Sequence, residues 1–186
     1  CIRDRPEEVA EAFNHLEQAG KVRHFGVSNQ NPMMMELLKT AVKQPLKVNQ
    51  LQLSAAFTPS FEAGFHVNME GPKAAVRDGS VFEYCRLTDT VIQAWSVLQH
   101  GYFKGNFVGK EEFAALNHVL TNLAKKYQVT PTAIALAWVL RYPGKMQAVI
   151  GTTKPQHVLE AGKAAEVTLT RKEWYQIYLA AGNDLP

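Results

Sequence analysis

The sequence predicts an α/β protein with a parallel sheet covered by helices. Two observations predict it. Four short apolar runs rich in β-formers alternate with segments of helical periodicity, the alternation that parallel βα units produce. The stretch Gly20 to Asn29 then joins a helix, a Gly turn, a buried strand and a polar pair ahead of a Pro-started helix, which is one complete αβα step.

Each element has its own reason. Cys1 to Pro6 forms an entry loop, and Glu7 to Ala19 carries Val9, Ala12, Phe13 and Leu16 at amphipathic helical spacing. Gly20 sits where a helix ends in a left-handed residue. Val22, Phe25 and Val27 make the first strand run, Ser28-Asn29 fall at its end, and Pro32 opens a helix over Met33 to Leu38. Val48 to Leu53 alternates and predicts the second strand. Phe57 to Val81 is irregular, broken by Gly64, Gly71, Pro72 and Gly79, with one or two helical turns over Pro72 to Arg77. Ser80 to Arg86 predicts a short helix and Thr90 to Trp95 the third strand, followed by a loop through Gly101, Gly105 and Gly109. Glu111 to Tyr127 predicts a long helix. Thr130-Pro131 cap another that reaches Leu140 and stops at Pro143-Gly144. Met146 to Ile150 predicts the fourth strand, Gly151 to Lys154 its turn and Pro155 the next helix. Thr170 caps a last helix carrying Trp174, Ile177, Tyr178 and Ala181.

No flexible linker or change of composition divides the chain, so one domain is expected over 1–186. Four strands are half of the eight that a closed β/α barrel needs, and a helix precedes the first. The expected architecture is therefore the C-terminal half of a (β/α)8 TIM barrel, incomplete at its N-terminus. The 186 residues, 46% hydrophobic and 20% charged, suffice for a sizeable core. The net charge of +3 is dispersed and leaves no nucleic-acid footprint. The apolar stretch Ala133 to Leu140 is too short for a bilayer, and no signal-like leader opens the chain. Cys1 and Cys85 form no CxxC pair. These features favour a reducing, cytoplasmic setting.

Side chains just past the strand ends are the first place to look for chemistry, because that rim of a β/α barrel holds the active site. Thr152-Thr153-Lys154 before Pro155 joins two hydroxyls and an ammonium to the free N–H groups and positive end of a helix, an arrangement suited to phosphate. A plain helix cap with a solvated Lys is the other reading, and both stay open. Trp95 offers a flat face for a planar ring or a core packing surface. Ser28, Asn29 and Gln50 could converge on a carboxamide or merely cap strand ends. The six His show neither HxxxH nor HxH, so no metal site is expected. His24 and His100 read as rim and loop residues, and Met33-Met34-Met35 as packing.

The ordered set Gly20-Lys-Val-Arg-His-Phe-Gly-Val-Ser-Asn29, Val48-Asn49-Gln50, Ala94-Trp95-Ser96-Val97-Leu98 and Val149-Ile150-Gly-Thr-Thr-Lys-Pro155 resembles the aldo-keto reductases, and within them a bacterial oxidoreductase branch. The helix Thr130 to Trp138 and the ending Leu169-Thr-Arg-Lys-Glu-Trp174 match as well. The resemblance implies NADP as cofactor. It implies that Ser28, Asn29 and Gln50 bind the nicotinamide carboxamide, and that Trp95 stacks on the nicotinamide where most members use Tyr. Thr152, Thr153 and Lys154 are implied to meet the 2′-phosphate, with Ser96, Leu98, Gly151, His157 and Glu160 completing the cofactor contacts. This sequence departs from the family in reading Gly151-Thr152 for the usual Lys-Ser, His157 for an adenine-stacking Arg, and Ala161 for an Asn. The family's catalytic Asp, Tyr, Lys and His belong to the first four strands, and no residue here matches them. Tyr84, Tyr102 and Lys104 are not assigned to that role.

The expected function is that of the cofactor-binding half of an NADP-dependent reductase of aldehydes and ketones, with a small carbonyl compound as substrate. The alternatives are a non-catalytic nicotinamide-nucleotide-binding or interaction protein, and a phosphate-binding half-barrel with other chemistry.

Overall fold

A computed structural model describes residues 5–59, 80–101 and 104–183. The expected helical turns at Pro72 to Arg77 lie outside the described residues, as does Tyr102. Four parallel strands, β1 (Phe25–Ser28), β2 (Leu46–Gln52), β3 (Val91–Trp95) and β4 (Met146–Ala148), stand side by side in chain order. Helices α1 (Pro6–Gln18), α2 (Pro32–Lys39), α3 (Val81–Leu87), α4 (Ala114–Tyr127), α5 (Pro131–Leu140), α6 (Pro155–Gly162) and α7 (Arg171–Ala180) are interleaved with them.

The helices begin where the sequence provides caps. Asn31 accepts from the Met34 amide at 2.9 Å, and Thr130 from that of Ala133 at 3.2 Å. Pro occupies the first turn of α1, α2, α5 and α6, where its missing N–H costs nothing. Gly20, at a φ of 66°, turns the chain out of α1 as expected. Residues 111–113 form a 3₁₀ turn ahead of α4 rather than its first α turn.

Two strands are shorter than their apolar runs. Leu46, the first residue of β2, already pairs with Phe25, so Val22 has nothing to pair with. At the other edge, β3 stops at Trp95 because Ser96 turns left-handed, with a φ of 52°. Ile150 thus lies beyond the ladder, although the Val149 amide still reaches the Ala94 carbonyl at 2.8 Å.

Strand alternation sorts the sheet into two faces. Asn49, Leu51, Ile92 and Ala94 are buried on the helix side, and the last three join the main core with Leu120, Ile134 and Ile177. A smaller cluster of Ala10, Met35, Val42 and Leu46 lies under α1 and α2. The opposite face carries Gly26, Ser28, Val48, Gln50, Gln52, Gln93, Trp95 and Gln147. Gly26 is required there, since a Cβ would stand 2.7 Å from both Cβ and O of Val48.

Two features tie α7 to the rest. Trp138 on α5 and Trp174 on α7 stack at 4.9 Å with their planes 9° apart. Each indole N–H donates to the other residue's carbonyl at 3.0 Å. Below them Glu173 closes a capping box with Thr170, receives the Lys126 ammonium at 2.5 Å and accepts from the Tyr127 hydroxyl at 2.8 Å. Burial alone would raise the Glu173 pKa, but Lys126, the amide and hydroxyl of Thr170, and Tyr127 outweigh it and bring it to about 2. A carboxyl depressed on folding contributes its full stability above the unfolded value and loses it as pH falls toward the folded one. Glu173→Gln is therefore expected to cost roughly 1.5–3 kcal/mol at pH 7. Urea unfolding of both proteins should find that gap narrowing between pH 4.5 and about 2; a constant gap would mean that the carboxylate charge contributes nothing.

Candidate active site

The strand ends place nine of the twelve expected residues at one rim of the sheet, in two recesses. Trp95, Ser96, Leu98, Gly151, Thr152, His157 and Glu160 line a single cleft of about 530 Å³ between the end of β3 and the start of α6. Trp95 is half-buried at the close of β3, and the left-handed Ser96 directs the chain into the cleft wall. A non-glycine residue held at positive φ stores strain, and such residues concentrate at functional sites.

The second recess, of about 970 Å³, wraps the open edge of β1 and takes in Ser28, Gln50 and Gln93 together with Val9, Phe13 and Leu38 from α1 and α2. Ser28 Oγ donates to the Gln50 carbonyl at 3.1 Å, so its lone pairs face outward. The Asn29 amide bonds the same carbonyl at 2.9 Å, and Asn29 itself is left-handed, at a φ of 52°. Asn tolerates that conformation better than most residues.

Three expected residues, Asn29, Thr153 and Lys154, line neither recess. In the turn before α6, Thr152 Oγ1 accepts from the Lys154 amide at 3.2 Å and lies 3.4 Å from His157 Nδ1. Lys154 is the N-cap, exposed, with no side-chain capping bond. Glu160 takes a hydrogen bond from Gln156 Nε2 at 3.2 Å. The turn is thus a self-bonded hydroxyl cap: Pro155 has no N–H, the His157 and Val158 amides donate to the Lys154 carbonyl, and what it presents is the Gln156 N–H and an ammonium.

Four glutamines near the site were not among the expected residues. Gln93 and Gln147 stand in register with Gln50, and the amides bond in series: Gln50 Nε2 to Gln93 Oε1 at 3.3 Å, then Gln93 Nε2 to Gln147 Oε1 at 2.9 Å. Gln52 pairs in register with Trp95, and its Nε2 is buried without a hydrogen-bond partner. Gln99 on the cleft wall likewise keeps a buried Oε1 unpaired. A buried donor or acceptor left unmade costs about 1–3 kcal/mol. Their local signal was alternation alone: Gln52 is two residues from Gln50, and Gln93 two from Trp95. The site therefore offers a flat indole face, unspent amide groups beside it and a helix N-terminus at its far lip. That set fits an elongated ligand with a planar amide-bearing ring at one end and an anion at the other.

Residues 2–180 match the aldo/keto reductase family. The chain belongs to that family. Among its curated relatives are the 6-dehydroglucose reductase of Agrobacterium fabrum, 33% identical over 96% of this chain and 54% of the relative, and the oxidoreductase YdhF of Escherichia coli, 32% identical over 97% and 54%. The chain spans about half the length of the relatives it matches. Among solved structures, an aldo-keto reductase from Klebsiella pneumoniae in complex with NADPH superposes with a TM-score of 0.70 at 22% identity, over 94% of this chain and 53% of that one. The thermostable aldo-keto reductase Tm1743, in complex with the inhibitor epalrestat, gives 0.68 at 21%, over 94% and 54%. The fold is that of part of an aldo-keto reductase barrel, as the strand count predicted. No helix among the described residues is long and apolar enough to cross a membrane.

Proposed function

We propose that this chain is the C-terminal, cofactor-holding half of an NADP-dependent aldo-keto reductase that converts aldehydes or ketones to alcohols. One observation carries the reading. Seven of the twelve residues that the family resemblance assigns to the cofactor meet in one cleft, from Trp95 at one end to His157 and Glu160 at the other. Trp95 would stack on the nicotinamide, and Ser28, Asn29 and Gln50 would take its carboxamide. Thr152, Thr153, Lys154 and the Gln156 N–H at the start of α6 would meet the 2′-phosphate with charge-assisted hydrogen bonds. The bound cofactor would supply the hydride, and the proton would come from an acid on the other half of the barrel. In the full polypeptide, Trp95→Ala should weaken NADPH about fivefold, since an aromatic stack is worth about 1 kcal/mol. Titration followed by nicotinamide fluorescence checks this, and unchanged affinity would return Trp95 to a packing role.

A second reading has its own support. The row across the inner face reads Ser28, Gln50, Gln93 and Gln147, a hydroxyl and three amides, with no proton donor of useful acidity. Such a chain could bind nicotinamide nucleotides without reducing anything.

A further inference from the structure

We propose that Asn49 is a positioning residue: from behind β2 it clamps the backbone of Gln30 and so keeps Asn29 in the left-handed conformation that shapes the β1 rim. Asn49 is fully buried on the helix side of the sheet, a place where strand alternation calls for an apolar side chain. A buried amide is costly unless its polar atoms are paired. Nδ2 donates to the Gln30 carbonyl at 2.8 Å and lies 3.6 Å from Met35 Sδ, and Oδ1 accepts from the Gln30 amide at 3.5 Å. The Cys85 thiol is a further hydrogen-bond partner. The Gln30 backbone fixes which way the Asn49 amide faces, because reversing it would set NH2 against N–H and oxygen against oxygen.

Gln30 is where the chain leaves the sheet. β1 ends at Ser28, the Asn29 amide still reaches the Gln50 carbonyl at 2.9 Å, and Asn31 caps α2. Gln30, between them, is buried and lies outside the β1–β2 ladder. Buried backbone groups must find partners, and the Asn49 side chain supplies both, in the manner of a neighbouring strand. Asn29 is therefore tied on one side to the Gln50 carbonyl and on the other, through Gln30, to the Asn49 amide. Between those ties it holds a φ of 52°. Without the second tie, a non-glycine residue reverts to negative φ. The consequence for the cofactor rests on the nicotinamide reading above; the consequence for the backbone does not.

The test uses the full polypeptide and two ligands: NADP, which spans the site, and 2′,5′-ADP, which probes only the adenosine end. Asn49→Leu should weaken NADP roughly 2- to 10-fold, the range of one net hydrogen bond, and leave 2′,5′-ADP unchanged. Amide hydrogen exchange at Asn29 should quicken in the same variant. Asn49→Asp keeps the size and the acceptor, loses the donor to the Gln30 carbonyl, and carries the test if the Leu variant does not fold. Cys85→Ala removes a different Asn49 contact and should lower stability while leaving both affinities and the Asn29 exchange as in wild type. Unchanged exchange at Asn29 in the Asn49 variants, or an equal loss of both ligands, overturns the clamp. If Asn29→Ala weakens NADP against 2′,5′-ADP and the Asn49 variants do not, the cofactor reading stands and the positioning role falls. If exchange quickens but neither the Asn49 nor the Asn29 substitution moves the ratio, the clamp stands and the cofactor assignment of this rim falls.

Discussion

The purified 186-residue chain is expected to reduce no aldehyde at a measurable rate, even with NADPH saturating. The row nearest Trp95 offers amides and a hydroxyl, and neither gives up a proton near neutral pH. General acid catalysis by a positioned side chain is worth about 10²–10⁴ in rate, so its loss alone carries turnover toward background. The sheet adds a second deficit. β1 and β4 each leave one edge unpaired among the described residues, and a parallel sheet is stable when both its faces are covered. Water therefore reaches the face that a closed barrel would keep dry. The measurement is NADPH consumption at 340 nm with a reactive aldehyde, using chain freed of host reductases, beside the full polypeptide. Turnover at the full polypeptide's rate would put an acid within these residues and defeat the half-barrel reading. Cofactor binding without turnover in both proteins would favour the non-catalytic one.

Trp138→Ala should be among the most destabilising single substitutions in the chain, at about 3–5 kcal/mol. Its ring is only 1% exposed and carries the stack between α5 and α7. Truncation leaves a cavity, removes the aromatic pair and takes away the indole N–H that the Trp174 carbonyl accepts at 3.0 Å. Trp138→Phe separates these terms. It keeps a stacked ring and loses the donor, and should cost about 0.5–1.5 kcal/mol, the net worth of one hydrogen bond. Urea midpoints of the three proteins, with equal slopes, check the order. A Trp138→Ala cost below that of Trp138→Phe would mean that the pair packs without contributing.

Much of this architecture was legible because it is written locally. Gly20, Pro32, Thr130-Pro131, Pro155 and Thr170 mark helix ends through the chemistry of their own neighbours. Ser28, Asn29 and Trp95 follow from where an apolar run stops. What stayed hidden depends on register. Gln50, Gln93 and Gln147 are 43 and 54 residues apart in sequence, and only strand pairing makes them neighbours. The same holds for Gln52, whose unpaired nitrogen exists because it faces Trp95 across a ladder. The residues expected to hold the cofactor are spread over two recesses and the turn before α6 for the same reason: Ser28 and Gln50 stand at the β1 edge, and Trp95 two strands away. The early end of β4 is also a partner's doing, since Ser96 removes the strand that Ile150 would have met.

The paired indoles have an optical consequence. The chain contains three tryptophans, and two of them form the clasp between α5 and α7. Rings stacked at 4.9 Å exchange excitation and quench one another, so their emission reports the docking of the last helix and little else. Trp95, the tryptophan that lines the cleft, would report a ligand entering it. One intrinsic spectrum thus holds two separable signals: replacing one indole of the pair relieves the quenching of the other and changes the first, while replacing Trp95 removes the second.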